Sequence, residues 1–198
     1  MLTIGDRFPP FQATAVVSQE PGKQFTHITD QTYAGWKVVF FWPKDFTFVC
    51  PTEILAFSDR LGEFRALGAE VVGASVDSKY SHLAWTEKPR EEGGIKGLAY
   101  PLLEDLRKDL AQAYGVLDEA GRVALRGLFI VDPDGVVQHA TVNNTAVGRS
   151  VDETLRVLQA FQFVREQGEV CPADWKPGTK SMKADWEKSK EYFAASTK

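Results

Sequence analysis

Residues 38–53 constrain the fold of this chain more than any other segment. The apolar run from Val38 to Trp42 is typical of a buried strand, and Pro43 stops it. After a short loop, Cys50 and Glu53 stand three positions apart with Pro51 between them, the pattern of an N-cap, an N1 proline and an N3 glutamate. The sequence therefore predicts a strand, loop and helix unit that holds a thiol at a helix N-terminus.

A thiol in that position is predicted to be a reactive thiolate. Free N–H groups and the helix macrodipole favour an anion there, which is how proteins activate a cysteine. Two alternatives remain open from the residues alone. Cys50 can be a buried small hydrophobe, or it can form an inert structural bridge with Cys171.

An efficient enzyme needs more than a thiolate, because further groups must position the substrate and stabilise developing charge. Thr47 can turn its hydroxyl towards the sulfur and a bound oxygen, and Pro43 can shield the site from water. Arg126 opens an apolar strand, where a permanent charge needs an anionic partner. Glu53 is the candidate that orients Arg126.

Composition excludes several classes of function. The 198-residue chain has a net charge of −4, which argues against general attraction to nucleic acid or anionic lipid, and no apolar stretch could span a bilayer. His27, His82 and His139 have no metal-ligand spacing, and no glycine-rich phosphate loop follows a strand. No secretion signal is visible, so we expect a cytoplasmic, reducing location in which two cysteines are functional.

The order of the predicted elements indicates an α/β fold with a mixed central sheet flanked by helices. Residues 1–165 are predicted as the core domain and residues 166–198 as a C-terminal arm. Strands are predicted at 37–42, 70–76, 125–131 and 136–142, and helices at 52–67, from Asp77-Ser78 towards Trp85, at 105–113, from 151 to about 165, and at 184–193.

Four segments resemble one family. Residues 46–53 resemble the peroxidatic-cysteine signature of the typical two-cysteine peroxiredoxins, which include the alkyl hydroperoxide reductase C type. Residues 126–130 resemble the segment that carries the family's active-site arginine, and residues 169–173 resemble its resolving-cysteine segment. Residues 147–153, which include Arg149 in a supporting role, also resemble the family.

The resemblance implies a thioredoxin-like fold and a peroxidase without metal, haem or flavin in this chain. Cys50 would attack hydrogen peroxide or an organic hydroperoxide, while Thr47 and Arg126 hold the peroxide and Pro43 completes the motif. The resulting sulfenic acid would condense with Cys171 of the partner subunit. An antiparallel homodimer, often five dimers in a decameric ring, and recycling by a thioredoxin-like or dedicated flavoprotein reductase are implied as well.

The resemblance also bears on regulation. Easily over-oxidised members carry a GGLG loop and a C-terminal Tyr-Phe helix; here Tyr192-Phe193 matches the helix, whereas Gly93-Gly94-Ile95-Lys96 departs from the loop at its last two positions. Intermediate sensitivity to over-oxidation is therefore expected. A second class of function, an oligomeric holdase or redox-relay protein whose chemistry is secondary, is compatible with the same resemblance.

Overall fold

This computed structural model describes residues 2–196, which have a mixed α/β architecture. The strands are β1 Gln12–Val16, β2 Phe25–Thr29, β3 Trp36–Phe41, β4 Ala69–Ser75, β5 Leu102–Glu104, β6 Arg126–Val131 and β7 Val137–Asn143. The helices are α1 Cys50–Asp59, α2 Leu61–Ala66, α3 Lys79–Glu87, α4 Asp109–Ala113, α5 Val151–Gln167 and α6 Ser189–Ser196, with a 3₁₀ turn at Arg90–Glu92.

Within the described residues the strands form one seven-stranded sheet in the order β2-β1-β5-β4-β3-β6-β7. The pairs β3–β4 and β4–β5 are parallel, and the other neighbouring pairs are antiparallel. The predicted mixed sheet is thereby confirmed. Because β3 lies inside the sheet with all six residues buried, it delivers the following loop from a fixed point.

Aromatic packing on both faces of β3 holds that point in place. On one face the Phe41 ring lies 5.5 Å from the Tyr114 ring, within a buried cluster that also contains Phe129. On the other face Phe40 stacks on Phe57 of α1, with ring centroids 4.8 Å apart. The strand and the helix that flank the cysteine loop are therefore packed against each other directly.

The chain separates into two compact units, one ending at Arg149 and the other starting at Ser150. In the second unit Ser150 caps α5 by accepting the N–H of Glu153, and Gly168 ends the helix in the left-handed region with φ of 67°. Phe163 packs on Trp175 with ring centroids 4.9 Å apart. The predicted division into a core domain of residues 1–165 and a C-terminal arm of residues 166–198 stays a prediction.

Most predicted elements are present, but several boundaries were wrong. The helix predicted at 52–67 is two helices, α1 and α2, separated at Arg60. The helix predicted from 105 starts at Asp109, because the Asp105 carboxylate accepts the N–H groups of Leu110 and Ala111 and so lies outside the helix.

The C-terminal helix also starts later than predicted, at Ser189 instead of residue 184. The Asp185 carboxylate accepts the N–H groups of Glu187 and Lys188, which forms a turn before α6. Strands β1, β2 and β5 were not predicted. Across residues 2–196, no helix combines the length and apolar character that a bilayer crossing requires.

Candidate active site

Cys50 is the first residue of α1, one position further into the helix than the sequence predicted. The N-cap is Val49, which has helical φ and ψ of −77° and −34° and no side-chain cap. Its carbonyl accepts the N–H of Thr52 at 3.1 Å and the Thr52 hydroxyl at 2.6 Å, which closes the first turn. The sulfur therefore lies in the first turn of α1, and the residue is only 1% exposed.

Arg126 brings a buried guanidinium to this sulfur. It is the first residue of β6, and its Nη1 donates to Cys50 Sγ at 3.4 Å and to Glu53 Oε2 at 2.5 Å. Its Nε and Nη2 both donate to the carbonyl of Thr145, at 2.9 and 2.6 Å. The guanidinium plane is fixed from both sides, so one N–H group points at the sulfur without further rearrangement.

Glu53 joins two guanidinium groups. While Oε2 accepts from Arg126, Oε1 accepts the backbone N–H and Nε of Arg149, both at 2.7 Å. Arg149 Nη1 in turn donates to the carbonyl of Gly127 at 2.5 Å, and its guanidinium lies 5.0 Å from the centre of the Phe40 ring. The predicted contact between Glu53 and Arg126 is present, and Arg149 is a direct partner of Glu53.

Two cations and one anion are buried beside the Cys50 sulfur. Arg126 and Arg149 carry two positive charges, Glu53 carries one negative charge, and all three side chains are at most 3% exposed. A net buried charge is costly in a low-dielectric interior, so this cluster is suited to stabilise negative charge that develops beside it during a reaction. Burial lowers the pKa of the Arg149 guanidinium from its usual value, and Glu53 counteracts that effect.

The loop before Cys50 is held at several points. Pro43 is buried, and the half-buried Thr47 donates its hydroxyl to the carbonyl of Lys44 at 2.8 Å. Because its proton is used in that bond, the Thr47 oxygen presents its lone pairs to a donor. Phe46 has φ of 55°, a left-handed conformation that is rare for a large residue, and its ring lies 5.7 Å from the Trp85 ring.

Sequence reasoning missed Asp45, the residue that fixes this loop most firmly. Its buried carboxylate accepts from Trp42 Nε1 at 3.0 Å and from the Ser81 hydroxyl at 2.8 Å, and it lies 2.7 Å from His82 Nδ1. An aspartate inside an aromatic-rich segment was the available signal, since a buried carboxylate requires donors. No feature of the neighbouring sequence predicted that two of its partners, Ser81 and His82, lie in α3.

The residues expected to regulate the site lie in both units. Gly93 accepts the Trp85 indole N–H at 2.9 Å, and a Cβ at Gly94 would lie 2.0 Å from the carbonyl oxygen of Lys88. The loop therefore requires glycine at position 94, and through Trp85 it touches Phe46. Tyr192 and Phe193 lie in α6 with their rings edge to face.

Cys171, in the second unit, is half-buried, and its Sγ lies 3.7 Å from the carbonyl of Ala160. Burial raises the pKa of the Cys171 thiol, which Arg156 partly offsets. Both cysteines are free thiols. Across the described part of the chain, no group of three or more His, Cys, Asp or Glu residues is arranged to hold a metal ion.

Solved structures with the same architecture define the class of protein. The chain is similar to the reduced 2-Cys peroxiredoxin of Plasmodium vivax, with a TM-score of 0.91 and 41% identity over 96% of this chain and 98% of that one. It is also similar to Mycobacterium tuberculosis AhpC, with a TM-score of 0.77 and 45% identity over 89% and 99% of the two chains. The fold is thioredoxin-like, as predicted.

Sequence comparison agrees. A model of the AhpC/TSA family matches residues 4–140, and one of the C-terminal domain of 1-Cys peroxiredoxin matches residues 160–195. The chain is 54% identical over 194 residues to the chloroplastic 2-Cys peroxiredoxin BAS1 of Hordeum vulgare, covering 97% of this chain and 90% of that protein. A putative peroxiredoxin of Synechocystis is 55% identical over 195 residues, covering 98% and 96%.

The chain therefore belongs to the AhpC/TSA family and is a peroxiredoxin, a thiol-dependent peroxidase. The predicted family, fold and enzyme class are confirmed. The predicted cytoplasmic location stays a prediction, since some of these relatives are chloroplastic.

Proposed function

We propose that this chain reduces hydrogen peroxide and organic hydroperoxides at Cys50, and that the oxidised sulfur is resolved as a disulfide with Cys171 of the partner subunit. The observation that carries the proposal is the Arg126 Nη1 group, which contacts both the Cys50 sulfur and Glu53. A fixed cation beside a buried sulfur at a helix start provides an anionic nucleophile and a donor for the oxygen that departs.

In the first step, the Cys50 thiolate attacks one peroxide oxygen and the O–O bond breaks. The sulfur becomes a sulfenic acid, and the leaving oxygen departs with the electron pair of the O–O bond and takes up a proton to form water or an alcohol. Arg126 stabilises the negative charge on both oxygens as the bond lengthens. The Thr47 oxygen accepts the peroxide O–H, since its own proton is bonded to Lys44.

Glu53 and Arg149 act behind these groups. Glu53 accepts a hydrogen bond from Arg126 on one carboxylate oxygen and from Arg149 on the other, so it holds the Arg126 guanidinium beside the sulfur. Buried Pro43 limits the access of water to the sulfur. Positioning of this kind, together with preorganised charge, supplies what a thiolate alone lacks.

The second step requires α1 to open. A disulfide places two sulfurs about 2 Å apart, whereas Cys50 is 1% exposed inside a helical turn. When the turn opens, the Cys171 thiolate attacks the sulfenic sulfur and a disulfide forms. The S–O bond breaks, and the hydroxide that leaves takes up a proton to form water. An external dithiol, from a thioredoxin-like protein or a dedicated flavoprotein reductase, then reduces the disulfide and is itself oxidised.

Assembly follows the same proposal. Phe48 is 91% exposed and Phe46 is 51% exposed, so the loop before Cys50 offers two large apolar side chains as a contact surface. We assign this surface to contacts between dimers in a decameric ring. Residues 166–198 then form the arm that carries Cys171, while Gly93, Gly94, Tyr192 and Phe193 tune how readily Cys50 is over-oxidised.

Two variants test the proposal. Cys50→Ser should abolish peroxide consumption, and full activity in that variant would refute the assignment of the nucleophile. Addition of one equivalent of hydrogen peroxide to the reduced protein should give a covalent dimer on a non-reducing gel. Cys171→Ser should lose that dimer while Cys50 still becomes a sulfenic acid; a covalent dimer that persists would refute the pairing.

A further inference from the structure

Tyr100 attaches a separate segment of the chain to the helix that carries Cys50. Its hydroxyl donates to the carbonyl of Ile54 at 2.8 Å. Ile54 is one helical turn after Cys50, and in an α-helix the N–H of residue 54 bonds to the carbonyl of residue 50. Holding the backbone at Ile54 therefore also holds the turn that contains the sulfur.

Tyr100 is itself fixed in place. The residue is 4% exposed, and its ring lies edge to face against Phe40 with centroids 5.9 Å apart. Burial raises the pKa of the Tyr100 phenol well above its usual value, so the hydroxyl stays protonated and keeps donating. The bond to Ile54 is therefore present throughout the physiological pH range.

Two neighbouring contacts attach the same segment to the end of α1. The N–H of Ala99 donates to the Ser58 hydroxyl oxygen at 3.1 Å. The Arg90 guanidinium donates to both oxygens of Asp59, at 3.0 and 2.9 Å. Residues 90–100 therefore hold α1 at its second and third turns.

We propose that Tyr100 is a positioning residue for the resolving step, whose hydroxyl holds the start of α1 closed and so sets how often Cys50 opens to meet the resolving thiol. The inference rests on the proposed function. Opening the first turn breaks the bond between residues 50 and 54, and helical turns open cooperatively, so a fixed Ile54 makes that opening rarer. A longer closed period also gives a second peroxide more time to reach the sulfenic acid.

The test replaces Tyr100 by phenylalanine, which keeps the ring and removes the hydroxyl. Tyr114→Phe is the matched control, because Tyr114 is also buried and donates its hydroxyl to a backbone carbonyl, that of Pro9, at 3.1 Å. Loss of one neutral hydrogen bond should raise the opening equilibrium about two- to tenfold. After one equivalent of peroxide, Tyr100→Phe should form the Cys50–Cys171 disulfide faster by that factor, with an unchanged rate of the first oxidation.

Two further readouts separate positioning from general loss of stability. Hydrogen exchange of the α1 amides should accelerate in Tyr100→Phe and stay at the wild-type rate in Tyr114→Phe. The peroxide dose that converts half of Cys50 to sulfinic acid should rise in the first variant only. The exchange measurement does not depend on Cys171, so it tests Tyr100 even where the disulfide pairing fails. Equal exchange in both variants, or slower disulfide formation in Tyr100→Phe, overturns the inference.

Discussion

Glu53→Gln should both destabilise the protein and slow its reaction with peroxide. The Glu53 carboxylate is buried and accepts hydrogen bonds from two guanidinium groups, one on each oxygen. In glutamine one of those oxygens becomes an NH₂ group. Whichever way the amide turns, a buried N–H group then faces the N–H groups of Arg126 or Arg149, and the buried positive charge loses its carboxylate.

The size of the effect follows from burial. Removing one partner of a buried ion pair costs about 3–5 kcal/mol, because it leaves an uncompensated charge in the interior. With a urea dependence of about 1–3 kcal/mol per molar, the unfolding midpoint should fall by roughly 1–5 M. Because Arg126 also loses the group that aims it at the Cys50 sulfur, displacement by about 1 Å should lower the rate constant with peroxide about 100-fold.

Glu63→Gln provides the matched control. The Glu63 carboxylate accepts hydrogen bonds from Arg60 Nε at 2.7 Å and from Arg60 Nη2 at 3.0 Å, distances comparable to those at Glu53. This pair, however, is exposed to solvent. An exposed pair contributes only about 0–1 kcal/mol, so this variant should keep its midpoint and its rate. Urea unfolding of the reduced proteins and stopped-flow oxidation by hydrogen peroxide measure both quantities. Equal midpoints and equal rates in the two variants would refute the assignment of Glu53 as the group that orients Arg126.

Three further predictions concern other parts of the chain. In Cys50→Ser the remaining thiol is Cys171, whose pKa is raised by burial. Alkylation of Cys171 by iodoacetamide should therefore be slower than that of a free cysteine at pH 8, and its rate should rise about tenfold from pH 7 to pH 8. A rate that does not change between these two pH values would contradict this prediction. Gly127→Ala should lower the free energy of unfolding in urea by about 1–3 kcal/mol, because its Cβ would lie 2.4 Å from Val116 Cγ1. Gly148→Ala should mainly lower the rate with peroxide, because its Cβ would lie 3.3 Å from Glu53 Cγ. A larger loss of stability in Gly148→Ala than in Gly127→Ala would show that these close contacts do not decide the effects. Phe48→Asp should stop assembly at the dimer, as measured by sedimentation velocity. Leu106→Asp, which changes another exposed apolar residue, should leave the ring intact. An intact ring in Phe48→Asp would exclude Phe48 from the contact between dimers.

The parts of the fold that were predicted correctly have strong local signals. The apolar run of β3, the Asp132 to Gly135 turn and the Ser150 cap each depend on neighbouring residues, and all three are present. The strands that were missed are defined by their partners instead. β5 has three residues and exists because β4 and β1 pair with it on either side, and β2 is an edge strand with exposed polar positions.

The same distinction applies within the site. Cys50 and Glu53 share one helical turn, so a short motif was sufficient to predict that they lie together. Arg126 was predicted because a charge in an apolar strand needs a partner, although that partner is 73 residues away. Asp45 carries a comparable signal, but its donors on α3 come from an ordinary amphipathic helix, and no sequence pattern distinguishes them from solvated side chains.

Arg149 shows what the packing adds to a correct motif. The sequence predicts only a supporting role for it, without naming its partners. In the structure its guanidinium lies over Phe40 of β3 and its Nε bonds to Glu53 of α1. It therefore connects the strand that leads into the cysteine loop with the helix that leads out of it. Because this second cation offsets the Glu53 carboxylate, the first cation at Arg126 is left for the sulfur and its substrate. A single arginine paired with Glu53 would leave the cluster neutral, so the second guanidinium is what leaves a net positive charge beside the sulfur to stabilise negative charge as it develops on a substrate.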